Sequence, residues 1–534
     1  MWPDWSGFSV HFFTGYVRVL RSSIKMPTSP VKQVSGQLRT RKITRFYRNN
    51  CHRFAPPLLA FIVLLCLGNL SDSYAQTLNL RIKVMSVAPA KLRIELTLPS
   101  QTKVLSFRNT YAGLIGLGER IEVVEASNSN GRSVAVKKLA PGEFRVSESF
   151  SRVSYDVNVT EPARSAQMSH VTWLHGDQGL LMLSDLLPQP TETAGRFASL
   201  VITVDAPAGW KVTSNLKREG SQFSTNDPDA AVFLIGSSVQ ETHKRLASTD
   251  FAVITVGDWP FSDSDAFKIA EKILEEHSRV TGFQLKSNAV LMLVPYPGEA
   301  GPERWSAETR GNDVVLVLGK QASRRRVLAR LGIVLSHELF HLWVPNSLKL
   351  KGDYDWFFEG FTLYRALRTD FRLGLISFDD YLETIASVYD AYRSSPDGDR
   401  LSLLEASERR WTTSSSVVYE KGMLVAFIYD LKLRSLTDCG VSLDNIYADL
   451  FRLPVTGQGS ANETIIGLLS GREGLKSFAR DYIENASKLS LDAMLSTYGI
   501  EIQQDPGAVA TKLVVSRNLT EPQRKLLSCI GYKK

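Results

Sequence analysis

The segment RRRVLARLGIVLSHELFHLW, residues 324–343, constrains the fold more strongly than any other stretch of the sequence. Apolar residues lie on almost every side of its helical period, which is typical of a helix buried within a protein. His337 and His341 are four residues apart, so both imidazole rings project from one side. Two imidazoles at this spacing suit a tetrahedral zinc ion. Glu338, rotated by about 100° from His337, is expected beside such an ion, where it can accept a proton from water.

The motif H-E-x-x-H alone leaves an alternative, in which the two histidines are hydrogen-bonded core residues. A catalytic zinc site needs a third protein ligand and one open position. The stretch WFFEGFTLY places Glu359 in a second apolar helical segment, with 17 residues between His341 and Glu359. A carboxylate in such surroundings is costly unless it is paired or metal-bound. We therefore expect His337, His341 and Glu359 to bind one zinc ion, the alternative for Glu359 being an ion pair with an arginine.

A third buried-type helix is predicted at SSSVVYEKGMLVAFIYDLKLRSLT, residues 414–437. Tyr419 lies at its polar start. A phenol near a zinc ion can donate a hydrogen bond to the oxyanion of a tetrahedral intermediate. From the residues alone, a core tyrosine is the alternative.

Upstream of these helices the sequence has a different periodicity. Alternating apolar residues in LNLRIKV, KLRIELTL and RVSYDVNV predict half-buried strands, and turn-formers separate them. We predict an all-β, sandwich-like domain at 76–245, in which His170 and His175 are structural or solvated. An α+β catalytic region is predicted at 246–380, with strands at 288–296 and 312–319 and a helix at 262–282. Helical patterns then dominate 381–505, and 506–534 is treated as a tail.

The N-terminal 75 residues have the pattern of a targeting leader. Ten Lys/Arg and two acids precede position 76, which leaves 53 residues of each charge in the rest of the chain. The formal charge of +8 therefore resides in the leader and gives no indication of a nucleic-acid partner. The apolar run LLAFIVLLCLG (58–68) is shorter than the roughly 20 residues of a membrane span. Cleavage after Ala75 and export are expected, the alternative being an uncleaved membrane anchor.

Three other features of the sequence bear on processing and assembly. The basic part of the leader is long, so Met26 is a candidate start besides Met1. Outside the leader, Cys439 and Cys529 are the cysteines of the sequence, so one disulfide or two free thiols are both open. No stable membrane span is expected after leader removal, and the sequence does not specify the oligomeric state.

The three helical segments together resemble the signatures of the glycyl aminopeptidase family of zinc metallopeptidases. The segments are HELFHLW, WFFEGFTLY and YEKGMLVAFIYDLKLR. Members are gluzincins with a thermolysin-like catalytic domain, and the resemblance covers about 250–502. It implies zinc on His337, His341 and Glu359, with Glu338 as general base and acid and Tyr419 as a transition-state donor. Trp343 and Gly360 match the signatures as packing or site-shaping residues.

The chain departs from the family pattern at three places, one of which is a spacing before Glu359 that is shorter than in many members. The 32 residues after position 502 are too few for the PDZ domain that many members carry. The glycine-rich segment with a glutamate before the zinc helix is replaced by PGEAGPERWSAE. This leaves Glu299, Glu303 and Glu308 as candidates to hold a substrate α-amino group.

The sequence as a whole predicts a secreted or periplasmic zinc metallopeptidase. An aminopeptidase for peptides with small N-terminal residues, Gly or Ala, is implied by the resemblance. The alternatives are an endopeptidase that uses the same site and a catalytically silent protein that binds a partner through its β domain.

Overall fold

The computed structural model describes residues 77–533, with gaps at 98–102, 113, 163–166, 190–198, 247, 286–287, 299, 303, 321–322, 349, 411–415, 454–459 and 504–509. The predicted leader, and with it the choice of start and of cleavage position, lies outside the described residues.

The N-terminal part consists of strands with short helical turns between them. Its strands are β1 (Thr77–Val87), β2 (Ala90–Thr97), β3 (Val104–Ser106), β4 (Thr110–Tyr111), β5 (Leu114–Ile115), β6 (Ile121–Ser127), β7 (Ser133–Val134), β8 (Val136–Ala140), β9 (Glu143–Val146), β10 (Arg152–Asn158), β11 (Trp173–His175), β12 (Gln178–Met182), β13 (Ser199–Asp205), β14 (Lys211–Ser214), β15 (Lys217–Glu219), β16 (Gln222–Thr225) and β17 (Val232–Gly236). One short helix, α1 (Leu183–Leu186), follows β12.

The second part begins with strands and continues as helices. Its elements are β18 (Gln240–Leu246), β19 (Thr249–Thr255), α2 (Asp263–Thr281), β20 (Ala289–Pro295), β21 (Trp305–Arg310), β22 (Asp313–Leu318), α3 (Arg324–Glu338), α4 (Thr362–Arg372), α5 (Phe378–Ser394), α6 (Leu403–Glu408), α7 (Gly422–Leu436), α8 (Leu443–Arg452), α9 (Ala461–Leu469), α10 (Lys476–Ala479), α11 (Leu491–Leu495), β23 (Ile500–Gln503), β24 (Lys512–Val515) and α12 (Glu521–Cys529). The predicted fold class, an all-β domain followed by an α+β and then helical region, is confirmed.

Three β-sheets are stacked on one another, and the helices pack against the third. The first has the strand order β15-β16-β13-β1-β2-β10-β6-β7, the second β11-β12-β17-β14 and the third β18-β19-β20-β22-β21. Alternate residues of the middle sheet enter different cores: Leu181 and Phe233 pack toward the first sheet, Leu180 and Leu234 toward the third. The middle sheet is therefore buried on both faces, which explains its continuous apolar runs.

The third sheet separates the β part from the helices. Met292 of β20 lies in the core shared with the middle sheet, whereas Leu291 and Leu293 lie in the core shared with the helices. Its first strand, β18, starts before position 245, where the sequence analysis places the domain boundary. Strand β21 lies at one edge of this sheet, antiparallel to β22.

The residues at the two ends of α2 cap the helix as the sequence predicts. Ser262 caps the helix by accepting a hydrogen bond from the Asp265 amide, and Gly282 ends it in the left-handed conformation with φ of 65°. None of the helices in the described part of the chain is both long and apolar enough to span a membrane.

The segment treated as a tail in the sequence analysis contributes a strand and a helix to the helical part. Strand β24 pairs with β23, and Leu526 and Leu527 of α12 enter the main core. Arg368 donates a hydrogen bond to the carbonyl oxygen of Ile530 at 2.7 Å. Cys529 forms a disulfide with Cys439, with a Cα–Cα distance of 6.3 Å, which resolves the two possibilities for these cysteines.

This disulfide closes a loop with a sequence separation of 90 residues. Because a loop of this length loses much entropy on cross-linking, we expect reduction to lower the free energy of unfolding by about 2–4 kcal/mol. Urea unfolding with and without reductant measures this difference. The C439S/C529S double variant is the control, since reductant should leave its unfolding curve unchanged. Equal stability of the reduced and oxidised protein would contradict the prediction.

Candidate active site

The two histidines of the H-E-x-x-H motif lie side by side, although the helix that carries them is not uniform. Helix α3 ends at Glu338, and a 3₁₀ turn, Leu339–Leu342, continues it, where one α-helix through 343 was predicted. The tighter turn still keeps His341 beside His337, with 3.2 Å between their Nε2 atoms. Nδ1 of His341 donates to the carbonyl oxygen of Val344 at 3.0 Å, which leaves Nε2 with its lone pair toward the site.

Glu359 reaches both histidines from a second helix. It lies in a π-helical turn, Trp356–Phe361, that leads into α4. Its Oε2 is 3.4 Å from Nε2 of His337 and 3.5 Å from Nε2 of His341. The three ligand atoms lie within 4.8 Å of one another, and all three residues are buried.

These distances can be compared with those around an ion. Ligand bonds of about 2.0–2.1 Å in a tetrahedron place neighbouring ligand atoms about 3.3–3.4 Å apart. The observed separations are 3.2, 3.4 and 3.5 Å. Two imidazoles and one carboxylate are also a known donor set for a catalytic zinc ion. The residues present therefore fit one such ion with the fourth position open.

The ligand set is charged in a way that favours a cation. Burial alone would raise the pKa of Glu359, but the positive charges of Arg410 and His341 hold it well below its ordinary value. Burial alone would lower the pKa of His341, whereas the Glu359 carboxylate raises it above its ordinary value. The carboxylate is thus ionised, and its negative charge favours a cation beside it.

Glu338 lies next to this set and is held there by the sheet. Thr309, on the edge strand β21, places its hydroxyl 2.7 Å from Oε2 of Glu338 and 3.0 Å from the Glu338 carbonyl oxygen. The Glu338 side chain is buried and is not one of the three converging ligands. Sequence reasoning missed Thr309, because a single threonine in a strand carries no distinguishing signal.

Tyr419 is linked to the site by Arg410, a residue that the sequence did not single out. Tyr419 lies in a π-helical turn, Val417–Lys421, before α7. Its phenol oxygen accepts a hydrogen bond from Nη2 of Arg410, and the same nitrogen donates to Oε1 of Glu359 at 2.7 Å. Nη1 of Arg410 donates to Asp355 at 2.6 Å. Burial raises the pKa of Tyr419 well above its ordinary value, so the phenol keeps its proton at neutral pH.

The three candidates for binding a substrate amine separate into two groups. Glu299 and Glu303 lie outside the described residues. Glu308 of β21 accepts a hydrogen bond from the Tyr111 hydroxyl at 2.6 Å, and its other oxygen is 3.2 Å from Nε of Arg310. Its charge is therefore already balanced, on the face of β21 opposite to Thr309.

Three other residues named from the sequence have structural contacts. Trp343 is fully buried, and its ring nitrogen donates to the carbonyl oxygen of Phe283 at 3.0 Å. His175 lies 3.0 Å from Glu161. His170 is 2.9 Å from the Ser169 hydroxyl, and burial lowers its pKa.

Profile comparison identifies the class of this fold and site. Residues 330–425 match the profile of M61 glycyl aminopeptidase, and residues 79–232 match that of the peptidase M61 N-terminal domain. The protein is thus a peptidase by class. Both matched regions are thus similar to the M61 glycyl aminopeptidase family, and the resemblance seen in the sequence is confirmed.

A solved structure shares the fold. An aminopeptidase N family protein from Idiomarina loihiensis is 20% identical, with a TM-score of 0.67 over 81% of this chain and 81% of that chain. An M1 zinc metallopeptidase from Deinococcus radiodurans is 14% identical, with a TM-score of 0.46 over 78% of this chain and 95% of that chain, a likeness too weak for further inference. No curated protein sequence matches the chain.

Gly360 allows the helix of Glu359 to touch the helix of Tyr419. A Cβ added at Gly360 would lie 2.5 Å from the carbonyl oxygen of Val418 and 2.6 Å from Cα of Gly422. Backbone atoms lie on both sides of this contact, so no side chain can move aside. The glycine therefore sets the distance between the two helices.

We expect G360A to force these helices apart and to destabilise the protein by about 1–3 kcal/mol, with a loss of any peptidase activity. The matched control is G467A in α9, where an added Cβ meets nothing within 4 Å. That variant should be neutral or more stable by about 0.5–1 kcal/mol, because alanine favours the helix. Thermal unfolding of both variants measures the contrast, and equal unfolding of the two would refute the close-contact argument.

Proposed function

We propose that this protein is a zinc-dependent aminopeptidase that removes small N-terminal residues, Gly or Ala, from peptides. The observation that carries the proposal is the triangle of His337, His341 and Glu359, whose sides have the lengths expected around one tetrahedral ion. The match to the M61 family supports the peptidase class. The Gly/Ala preference follows the printed name of that family.

The residues of the site have distinct roles in this proposal. His337, His341 and Glu359 hold the ion, which when bound acidifies water and polarises the scissile carbonyl. Glu338, oriented by Thr309, accepts the proton of the attacking water and passes it to the leaving amine. Tyr419 donates its phenol hydrogen to the oxyanion of the tetrahedral intermediate.

The proposed location is outside the cytoplasm, in a secreted or periplasmic form. The disulfide between Cys439 and Cys529 supports it, because such bonds persist in oxidising compartments. The leader pattern of the first 75 residues supports it independently. An uncleaved leader that anchors the protein to a membrane is the alternative.

The roles of Glu338 and His341 can be separated by metal content and turnover. We expect E338Q to keep one zinc per chain and to lose at least about a thousandfold in kcat, because the proton acceptor is gone. H341A should lose both the metal and the activity. Atomic spectroscopy and hydrolysis of alanine p-nitroanilide measure the two properties. Wild-type turnover in E338Q, or stoichiometric zinc in H341A after dialysis, would overturn the assignment.

The aminopeptidase assignment is tested by blocking the substrate amine. We expect glycine and alanine anilides to be cleaved, and their N-acetylated forms to be cleaved at least about a hundredfold more slowly, since an enzyme that recognises a free α-amino group loses that interaction when the amine is acylated. E338Q measured on both substrates gives the background. Equal cleavage of free and acetylated substrates would favour the endopeptidase alternative, and stoichiometric zinc without cleavage of any peptide would favour the silent binding protein.

A further inference from the structure

Arg410 is a largely buried cation at the centre of the site, and the proposed reaction gives it no role. It follows helix α6, and its side chain is 12% exposed. The guanidinium donates to three acceptors from two different helical turns: Asp355, Glu359 and Tyr419. Asp355 and Glu359 precede α4, whereas Tyr419 precedes α7.

The contact between Arg410 and Glu359 gives the two oxygens of the Glu359 carboxylate different partners. Oε1 is bonded to Nη2 of Arg410 at 2.7 Å, and Oε2 faces the two imidazoles at 3.4 and 3.5 Å. A carboxylate without such a bond can rotate about its last torsion, which is broad and roughly two-fold. Arg410 therefore fixes which oxygen is presented to the ion.

The second contact fixes the phenol relative to that carboxylate. Nη2 of Arg410 donates both to Oε1 of Glu359 and to the Tyr419 oxygen, so one nitrogen atom links the two groups. Because the phenol oxygen accepts from Arg410, its own O–H bond points away from the guanidinium. The position and direction of the proposed oxyanion donor are thereby tied to a ligand of the ion.

The shape of the side chain explains why an arginine occupies this place. A guanidinium presents donors in a rigid planar fork, so it can hold Asp355 on one nitrogen and Glu359 with Tyr419 on the other. A lysine ammonium keeps the charge but is a compact donor on a flexible stem. The contacts therefore depend on geometry as well as on charge.

We propose that Arg410 is a positioning residue that locks the ion ligand Glu359 and the oxyanion donor Tyr419 into one rigid unit. This proposal rests on the proposed zinc peptidase function. It predicts that Arg410 acts on the transition state through Tyr419 and on the ion through Glu359, and that it has no part in substrate binding.

The decisive variant removes the arginine without changing the net charge. Arg410 and Asp355 form an ion pair at 2.6 Å, so R410M/D355N deletes one charge of each sign. A change in zinc affinity then reports the orientation of Glu359 and not a change in local charge. The control is R434M/D430N, which deletes the Arg434–Asp430 pair at 2.9 Å, of similar burial in α7.

We expect R410M/D355N to bind zinc about tenfold more weakly in a chelator competition and to lose about a hundredfold in kcat. KM should stay within about twofold of wild type, because the substrate is not held by Arg410. R410K should lose most of kcat as well, since it restores charge and not the fork. The control pair should leave kcat, KM and zinc affinity unchanged, even where its melting temperature falls.

A double-mutant cycle with Y419F tests the path of the effect. Y419F alone should cost about a hundredfold in kcat, but less than about tenfold when added to R410M/D355N, because the donor is already misplaced there. Strict additivity, or wild-type kcat and zinc affinity in R410M/D355N, would overturn the proposal. If the wild type binds zinc but E338Q still turns over substrate at the wild-type rate, the proposed function is refuted instead. If the wild type cleaves no peptide, the zinc titration alone decides whether Arg410 orients Glu359.

Discussion

The ionised carboxylate of Glu359 is buried on a helical turn rich in aromatic residues, and the rest of the site is arranged around that charge. Trp356, Phe357 and Phe361 surround it in sequence and are inaccessible to solvent. A charge in such a place is strongly unfavourable unless it is paired and hydrogen-bonded. The sequence leaves an ion and an arginine as alternative partners. In the structure an arginine binds one carboxylate oxygen, and the other oxygen faces two imidazoles. The two explanations therefore apply to different oxygens of one side chain.

Each of the three helical segments of the site departs from α geometry at one of its functional residues. His341 lies on a 3₁₀ turn, and Glu359 and Tyr419 lie on π turns. A π turn inserts one extra residue, which changes the direction of the side chains that follow it, and such turns are frequent at functional sites. At the crossing of the two helices, Gly360 lies within one π turn and Gly422 directly follows the other. The close backbone contact and the two π turns thus place Glu359 and Tyr419 near the same arginine.

The sequence predicted those parts of the site that depend on local spacing. His337, Glu338 and His341 belong to one motif, and an acidic residue in an apolar helix marked Glu359. Arg410 and Thr309 could not be found in this way, because their contacts join residues 51 and 29 positions apart and require the tertiary fold. The same limit applies to Cys439 and Cys529, whose pairing depends on how α12 packs. The helix irregularities were missed because a 3.6-residue period assumes a regular helix.

The β part was predicted as a sandwich. Its connection to the site depends on the middle sheet, whose strands lack the alternation of apolar and polar residues used for that prediction. Continuous apolar strands such as VFLIG pack against both neighbouring sheets, so the β part and the third sheet share one core. Successive residues of the edge strand β21 then face opposite ways. Arg310 donates to the Ser184 hydroxyl at 2.8 Å on the side of the β part, whereas Thr309 contacts Glu338 on the side of the helices. The β part therefore holds in place the strand that orients the proposed general base.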